Sequence, residues 1–326
     1  MKKIGVIGAG AWGTALALVA ARAGGQVSLF TRQEGLKESQ ILTANEKVLP
    51  GIVFDKPLTL AAKKETLRNQ DLVIFAMPAQ QNRQAAIEFG PYLAKGAPLV
   101  ITAKGIEHKN LCFMSEIFDE ELPSHPYAVL SGPNFAREIA QNLPAATTIA
   151  TQSQSIMVPV LKALTAPHFR PYMSNDVLGV QVSGAIKNVL AIAAGMVTGL
   201  GIGDNARAAL ISRGMAELIR LGLEKGGKLE TFLGLAGYGD VLLTCTSSQS
   251  RNMAYGLSLA QNKPTDKVLQ EGALTAQTIL ALSRRYRVEM PICAMVHQVI
   301  TKNITIQAAM EALLARPLKA EFGGAL

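Results

Sequence analysis

At 326 residues the chain is longer than one hydrophobic core usually supports, so two domains are the starting expectation. With 49% hydrophobic and 17% charged residues, it has the composition of a soluble globular protein rather than a disordered one. The excess of 32 Lys and Arg over 24 Asp and Glu gives a net charge of +8 and favours anionic partners. It carries neither a dense basic tract nor aromatics set among basic residues, which argues against nucleic acid and leaves acidic lipid or phosphorylated small molecules.

The amino terminus, MKKIGVIGAG, sets two lysines before an apolar stretch in the manner of a secretory signal. Glycines interrupt that stretch and no clean cleavage site follows, so it is read as the first strand of the fold. Short Val/Ile/Leu-rich runs at 3–7, 26–30, 72–76, 99–102, 128–130 and 147–150 predict strands, with helical stretches such as 13–23 and 80–89 between several of them. These runs do not alternate apolar with polar residues, as expected of strands covered on both faces. Residues 1–177 are therefore expected to form an α/β domain with an N-terminal Rossmann-like, mostly parallel, doubly wound sheet.

Gly8, Gly10 and Gly13 form G-x-G-x-x-G directly after the first strand and at the opening of the first helix. The glycines serve a tight turn, close approach of backbone to a pyrophosphate, and close packing of helix on strand. The helix N-terminus offers N–H groups and a partial positive charge to the phosphates. At the tip of the second strand stand Thr31 and Arg32, where an NAD-selective site usually has an acid. Arg32 suits a 2′-phosphate and favours NADP; Glu34 nearby keeps NAD open.

After residue 177 strand signals become rare. The runs at 177–200, 204–227, 265–286 and 291–303 read as helices, with Pro291 suited to a first turn. They predict an all-α C-terminal domain over 178–326, whose apolar character suits a homodimer. Its most apolar stretch, VLAIAAGMVTGLGIG, reads as too short and too glycine-rich to span a bilayer. Cys112, Cys245 and Cys293 are far apart in sequence, which points to reduced thiols in a cytoplasmic protein. The histidines have no metal-binding spacing, so no metal site is expected.

A dinucleotide domain followed by a helical one predicts a reductase working in the cleft between them. Lys187, in SGAIKNVLAIAAG, shares a helical face with Gly184, Ala191 and Gly195. This face reads either as the seat of a proton-donating lysine or as a helix-packing stripe with the lysine reaching solvent. The segment GYGDVLLTCTSSQSRN gathers Asp240, Thr244, Ser250, Arg251 and Asn252. Arg251 with Ser250 and Asn252 could clamp a phosphate, while Asp240 could hold Lys187. The other reading is a polar connection between helices.

These residues resemble those of soluble NAD(P)-dependent glycerol-3-phosphate dehydrogenases of the bacterial type. GAGAWGTALA, LPGI, FAMPAQ, TAKGIE, LSGPNFARE, the long run from GAIKN to GMAE, LAGYGDVLLTCTSSQSRN and EGALTA follow in the family's order nearly end to end. The resemblance implies interconversion of dihydroxyacetone phosphate and sn-glycerol 3-phosphate with NAD(P)H, supplying phospholipid synthesis. It implies Lys187 as the proton donor and Lys104 between nicotinamide and substrate. Gly132, Asn134, Asp240, Ser250, Arg251 and Asn252 would line the substrate, with Asn188 and Thr244 completing the hydrogen bonds around Lys187 and Asp240. Gly8, Gly10, Ala11, Trp12, Gly13, Arg32, Lys104, Ala136, Arg251, Leu269 and Glu271 would meet the cofactor. The sequence departs from the family pattern at Asn134, where Ser or Thr is usual, at Leu269, where Val is usual, and in a shorter segment between Arg251 and Glu271. A related dehydrogenase for another small hydroxyacid and a non-catalytic NAD(P)-sensing protein are the alternative readings.

Overall fold

The strands form where short apolar runs can be buried on both faces. β1 (Lys3–Ile7) buries four of its five residues, and β5 (Leu72–Phe75) and β6 (Leu99–Ile101) bury every residue. The computed structural model describes residues 2–31, 40–263 and 270–317, with Gln270 and Glu271 described by backbone only. After β1 come α1 (Ala11–Arg22), β2 (Gln26–Phe30), β3 (Ile41–Ala44) and β4 (Val53–Ala61). Then follow β5, α2 (Asn82–Phe89), β6, α3 (Met114–Glu121), β7 (Tyr127–Ser131), α4 (Ala136–Ala140), β8 (Ala145–Ala150), α5 (Gln154–Ala163) and β9 (Phe169–Ser174).

These strands form one sheet in the order β3-β4-β2-β1-β5-β6-β7-β8-β9. Pairing is parallel except between β3 and β4 and between β7 and β8. The mostly parallel, doubly wound expectation holds, and six of the strands lie where the apolar runs predicted them. The other three, β3, β4 and β9, carry too little apolar signal to stand out. β3 and β9 lie at the sheet's two ends, and β9 contains Pro171, which an edge strand tolerates because one side needs no ladder. In β4 the polar centre of VFDKPLTLA is exposed, and only Thr59–Ala61 pairs with β2.

After β9 every described element is helical: α6 (Val177–Gly199), α7 (Asp204–Glu224), α8 (Leu229–Leu233), a π-helical turn (Leu235–Gly239), α9 (Asp240–Thr246), α10 (Arg251–Ala260), α11 (Gln270–Arg285), α12 (Pro291–Ile300) and α13 (Ile306–Leu314). α6 is apolar on nearly every side and is the axis of this part of the fold. The apolar stretch that looked too short for a membrane span belongs to this 23-residue helix, which is long and apolar enough by composition alone. Yet 94% of its most apolar window is buried inside the protein. α10 crosses it at backbone distance: a Cβ on Gly195 would lie 2.0 Å from the Met253 carbonyl, and one on Gly256 2.0 Å from that of Ile192.

α7 contributes a buried acid to the packing of α12. Glu217, 1% exposed, accepts hydrogen bonds from the Ile292 and Cys293 amides at 2.6 and 3.2 Å, in place of a side-chain N-cap. Burial pushes its carboxyl up to about 7, against the pull of those two amides. The folded state therefore holds this proton more tightly than the unfolded chain, and stability falls as pH rises from the ordinary carboxyl range to about 7. Replacing Glu217 with Gln should raise the thermal midpoint by a few degrees at pH 8 but not at pH 5. A loss at both pH values in thermal melts would contradict this.

Candidate active site

The glycine turn sits where the sheet reverses its order. β1 lies between β2 and β5, so the turn after Ile7 opens at the crevice beyond the carboxyl ends of the strands. Gly8 has φ +111°, and a Cβ there would meet the Ala76 carbonyl at 2.7 Å. A Cβ on Gly13 would come within 1.8 Å of the Gly8 carbonyl, so any side chain would push α1 off the turn. Over Gly10, by contrast, none of the described residues comes within 4 Å of a Cβ. Gly10 is the N-cap of α1, with no side-chain cap and no acid in the first turn. That open cradle at a helix N-terminus, followed by Ala11 and Trp12, fits a dinucleotide pyrophosphate.

Asn45, not among the sequence candidates, braces this turn: its Nδ2 donates to Thr14 Oγ1 at 3.2 Å and sits 3.4 Å from the Ala9 carbonyl. Its position just before LPGI was the only hint in the sequence. Ala136 opens α4, which packs against α1. Arg32, Glu34 and Leu269 lie outside the described residues, as does the side chain of Glu271, whose backbone belongs to α11.

The same crevice is closed by the helical part. Lys104 follows β6, Gly132 follows β7, and Lys187 projects from the middle of α6. Asp240, the first residue of α9, is 1% exposed and holds both lysines: Lys187 Nζ donates to its Oδ1 at 2.6 Å and Lys104 Nζ to its Oδ2 at 2.6 Å. Lys187 also donates to Thr244 Oγ1 at 2.9 Å, and Lys104 to the Gly132 carbonyl at 2.9 Å. Thr244, one turn after Asp240, gives its own proton to the Asp240 carbonyl at 2.6 Å, so toward Lys187 it accepts. An ammonium has three N–H donors, and these bonds leave one on each lysine for a ligand.

Two ammonium groups on one carboxylate leave this nearly closed site net positive; the lysine side chains are only 10% (Lys187) and 18% (Lys104) exposed. Burial brings the Lys104 ammonium down to about 8; the attraction of Asp240 opposes this and the charge of Lys187 adds to it. Gly184, on the small-residue face of α6, lies against the Lys104 stem, where a Cβ would be 3.3 Å from Cγ. Gly195 on that face serves the α10 crossing instead, so the stripe has both meanings.

An amide chain runs from this centre to α10. Asn188 Nδ2 reaches the Lys104 carbonyl at 3.4 Å, and Asn252 Nδ2 donates to Asn188 Oδ1 at 3.0 Å. Since the carbonyl can only accept, this chain fixes the orientation of both amides. Asn252 Oδ1 is buried with no hydrogen-bond partner among the described residues, under Gly272, where a Cβ would come within 2.5 Å of it. Ser250 is buried and caps α10 by accepting from the Met253 amide at 3.3 Å, and Arg251 is exposed at the first position of that helix. Asn134 is turned into the fold: its Nδ2 donates to the Pro133 and Ala146 carbonyls, both at 2.8 Å.

Residues 3–157 match the NAD-dependent glycerol-3-phosphate dehydrogenase N-terminus family and residues 176–311 the corresponding C-terminus family. A glycerol-3-phosphate dehydrogenase [NAD(P)+] of Caulobacter vibrioides is 45% identical over 98% of this chain and 99% of its own length. One from Bradyrhizobium sp. BTAi1 is 47% identical over 98% of each chain. Among solved structures, a glycerol-3-phosphate dehydrogenase from Coxiella burnetii superposes with a TM-score of 0.89 at 35% identity, covering 97% of this chain and 99% of that one.

The Asp240 carboxylate favours the charged form of Lys104, so removing its charge should lower the Lys104 midpoint below about 8. In Asp240→Asn this is readable by NMR of lysine labelled at Cε. An unchanged midpoint would mean that Asp240 does not set the charge state of this centre.

Proposed function

The chain belongs to the NAD-dependent glycerol-3-phosphate dehydrogenase family, and from that premise we propose how its own residues carry out the reaction. It is an NAD(P)-dependent oxidoreductase that interconverts dihydroxyacetone phosphate and sn-glycerol 3-phosphate. The observation that carries the assignment of roles is the pair of lysines on Asp240.

When bound, NAD(P)H supplies the hydride that converts C2 of the ketone to an alkoxide. Lys187 gives the proton to that oxygen, with Asp240 and Thr244 holding its ammonium in place. Lys104 directs its remaining N–H and its charge at the same oxygen, stabilising negative charge as it develops. In the oxidative direction Lys187 takes the proton back. Asn188 sets the Lys104 loop through its carbonyl, and Asn252 holds Asn188.

The substrate phosphate meets Arg251 and Ser250 at the start of α10, where a guanidinium and a helix N-terminus both favour a dianion. The turn carrying Gly132 and Asn134 forms the facing wall. Gly8, Gly10, Gly13, Ala11, Trp12 and Ala136 take the cofactor's pyrophosphate end, with Arg32 favouring a 2′-phosphate and hence NADP. Leu269 and Glu271 are further cofactor contacts, and Arg251 and Lys104 reach both ligands. The boundary between the two functional halves lies at residue 177, where α6 begins. The protein works in the cytoplasm as a homodimer and supplies glycerol 3-phosphate for phospholipid synthesis.

Lys187→Ala should lower kcat by about 10²–10⁴-fold with NADPH binding intact, followed by loss of reduced-nicotinamide absorbance with dihydroxyacetone phosphate. Retained turnover would remove Lys187 from the proton transfer. Arg251→Ala should raise the KM for dihydroxyacetone phosphate by roughly 10-fold or more with a smaller change in kcat. An unchanged KM would move the phosphate elsewhere.

A further inference from the structure

The turn over residues 131–134 supplies Lys104 with its only neutral hydrogen-bond acceptor, the Gly132 carbonyl, among the bonds found in the described residues. We propose that Asn134 is a positioning residue, whose side-chain amide fixes this turn so that the Gly132 carbonyl stays on the Lys104 ammonium. Both partners of its Nδ2, the carbonyls of Pro133 and of Ala146 on β8, can only accept. The amide orientation is thereby fixed, and Oδ1 is left enclosed with no partner among the described residues. Asn134 thus spends its donors on backbone and has no open acceptor to present to substrate.

The turn is held on its other side as well. Gly132 has φ +155°, and a Cβ there would lie 3.0 Å from Thr147 Cα, so the turn is pressed against β8. Thr147, fully buried, donates from Oγ1 to the Ser131 carbonyl at 2.9 Å. The carbonyls on either side of Gly132 are tied down, and its own accepts from Lys104 Nζ at 2.9 Å. A Ser or Thr at 134 has a single proton and could not tie both carbonyls. The charged groups facing Lys104 Nζ are Asp240 from α9 and Lys187 from α6. The Gly132 carbonyl and Asp240 both favour the ammonium form, against burial and the charge of Lys187.

The inference rests on Lys104 taking part in the reaction, so Lys104→Met is measured beside Asn134→Ala, Asn134→Ser and Asn134→Asp. Each is assayed for reduction of dihydroxyacetone phosphate across pH, with NADPH affinity and the Lys104 titration followed by lysine NMR. Freeing the turn removes an acceptor from the ammonium, so Lys104 should lose its proton at lower pH. In Asn134→Ala the alkaline fall of kcat should move down by about half a pH unit, and kcat at pH 8 should fall roughly 10-fold. The KM for dihydroxyacetone phosphate should change less than about 3-fold and NADPH affinity should not change. Asn134→Ser should lie between Ala and wild type, and Asn134→Asp below Ala, because a carboxylate would face two carbonyls. If Asn134→Ala does not fold, Asn134→Ser is read by the same criteria. A raised KM with an unmoved pH profile would make Asn134 a direct substrate ligand and overturn the proposal, as would variants indistinguishable from wild type. If Lys104→Met keeps wild-type kcat, the role of Lys104 in the reaction fails. The NMR midpoint of Lys104 in Asn134→Ala then still decides whether Asn134 holds the turn.

Discussion

One carboxylate with two ammonium groups organises this molecule. Asp240 is buried at the head of α9 and bonds Lys187 from α6 with one oxygen and Lys104 from the loop after β6 with the other. A buried carboxylate and ammonium pair can recover the cost of leaving water only with good geometry and further bonds. Here Thr244 and the Gly132 carbonyl provide those bonds. The second lysine leaves the centre positive, a charge matched by an anionic substrate and by the alkoxide of the transition state.

Keeping these three residues in register explains much of the surrounding architecture. The sheet delivers the glycine turn, the Lys104 loop and the Gly132 turn from the carboxyl ends of β1, β6 and β7, around the point where strand order reverses. The Lys104 loop is anchored on the helical part: Ile106 and Phe113 are buried in the helical core, and His108 Nδ1 lies 3.1 Å from Thr278 Oγ1 of α11. On the helical side α6 is fixed by the glycine crossing with α10, so Lys187 stands on a rigid element. A π-helical turn runs directly into Asp240, a distortion that often marks functional sites in helices.

The sequence was most legible where one residue type has one mechanical use. Apolar runs located the central strands because both faces are covered, whereas β3, β4 and β9 mix polar residues and proline into partly exposed strands and could not be found that way. Lys187, Asp240 and Thr244 were expected together, and they are bonded to one another. Asn45 and Thr147 went unseen, because they act through backbone carbonyls or neighbouring side chains brought close only by the fold. Gly195 shows the limit of pattern reading: the small-residue face of Lys187 suits a ligand or another backbone equally, and only the fold shows that at Gly195 it receives the backbone of α10.

The most direct test of the lysine pair is a crystal structure of the complex with NADP⁺ and sn-glycerol 3-phosphate. The C2 hydroxyl should lie within hydrogen-bond reach of Lys187 Nζ, with Lys104 Nζ beside it, both lysines still on Asp240, and the phosphate at Arg251. A C2 hydroxyl remote from Lys187, or a substrate bound with the Asp240 bridge broken, would contradict the account.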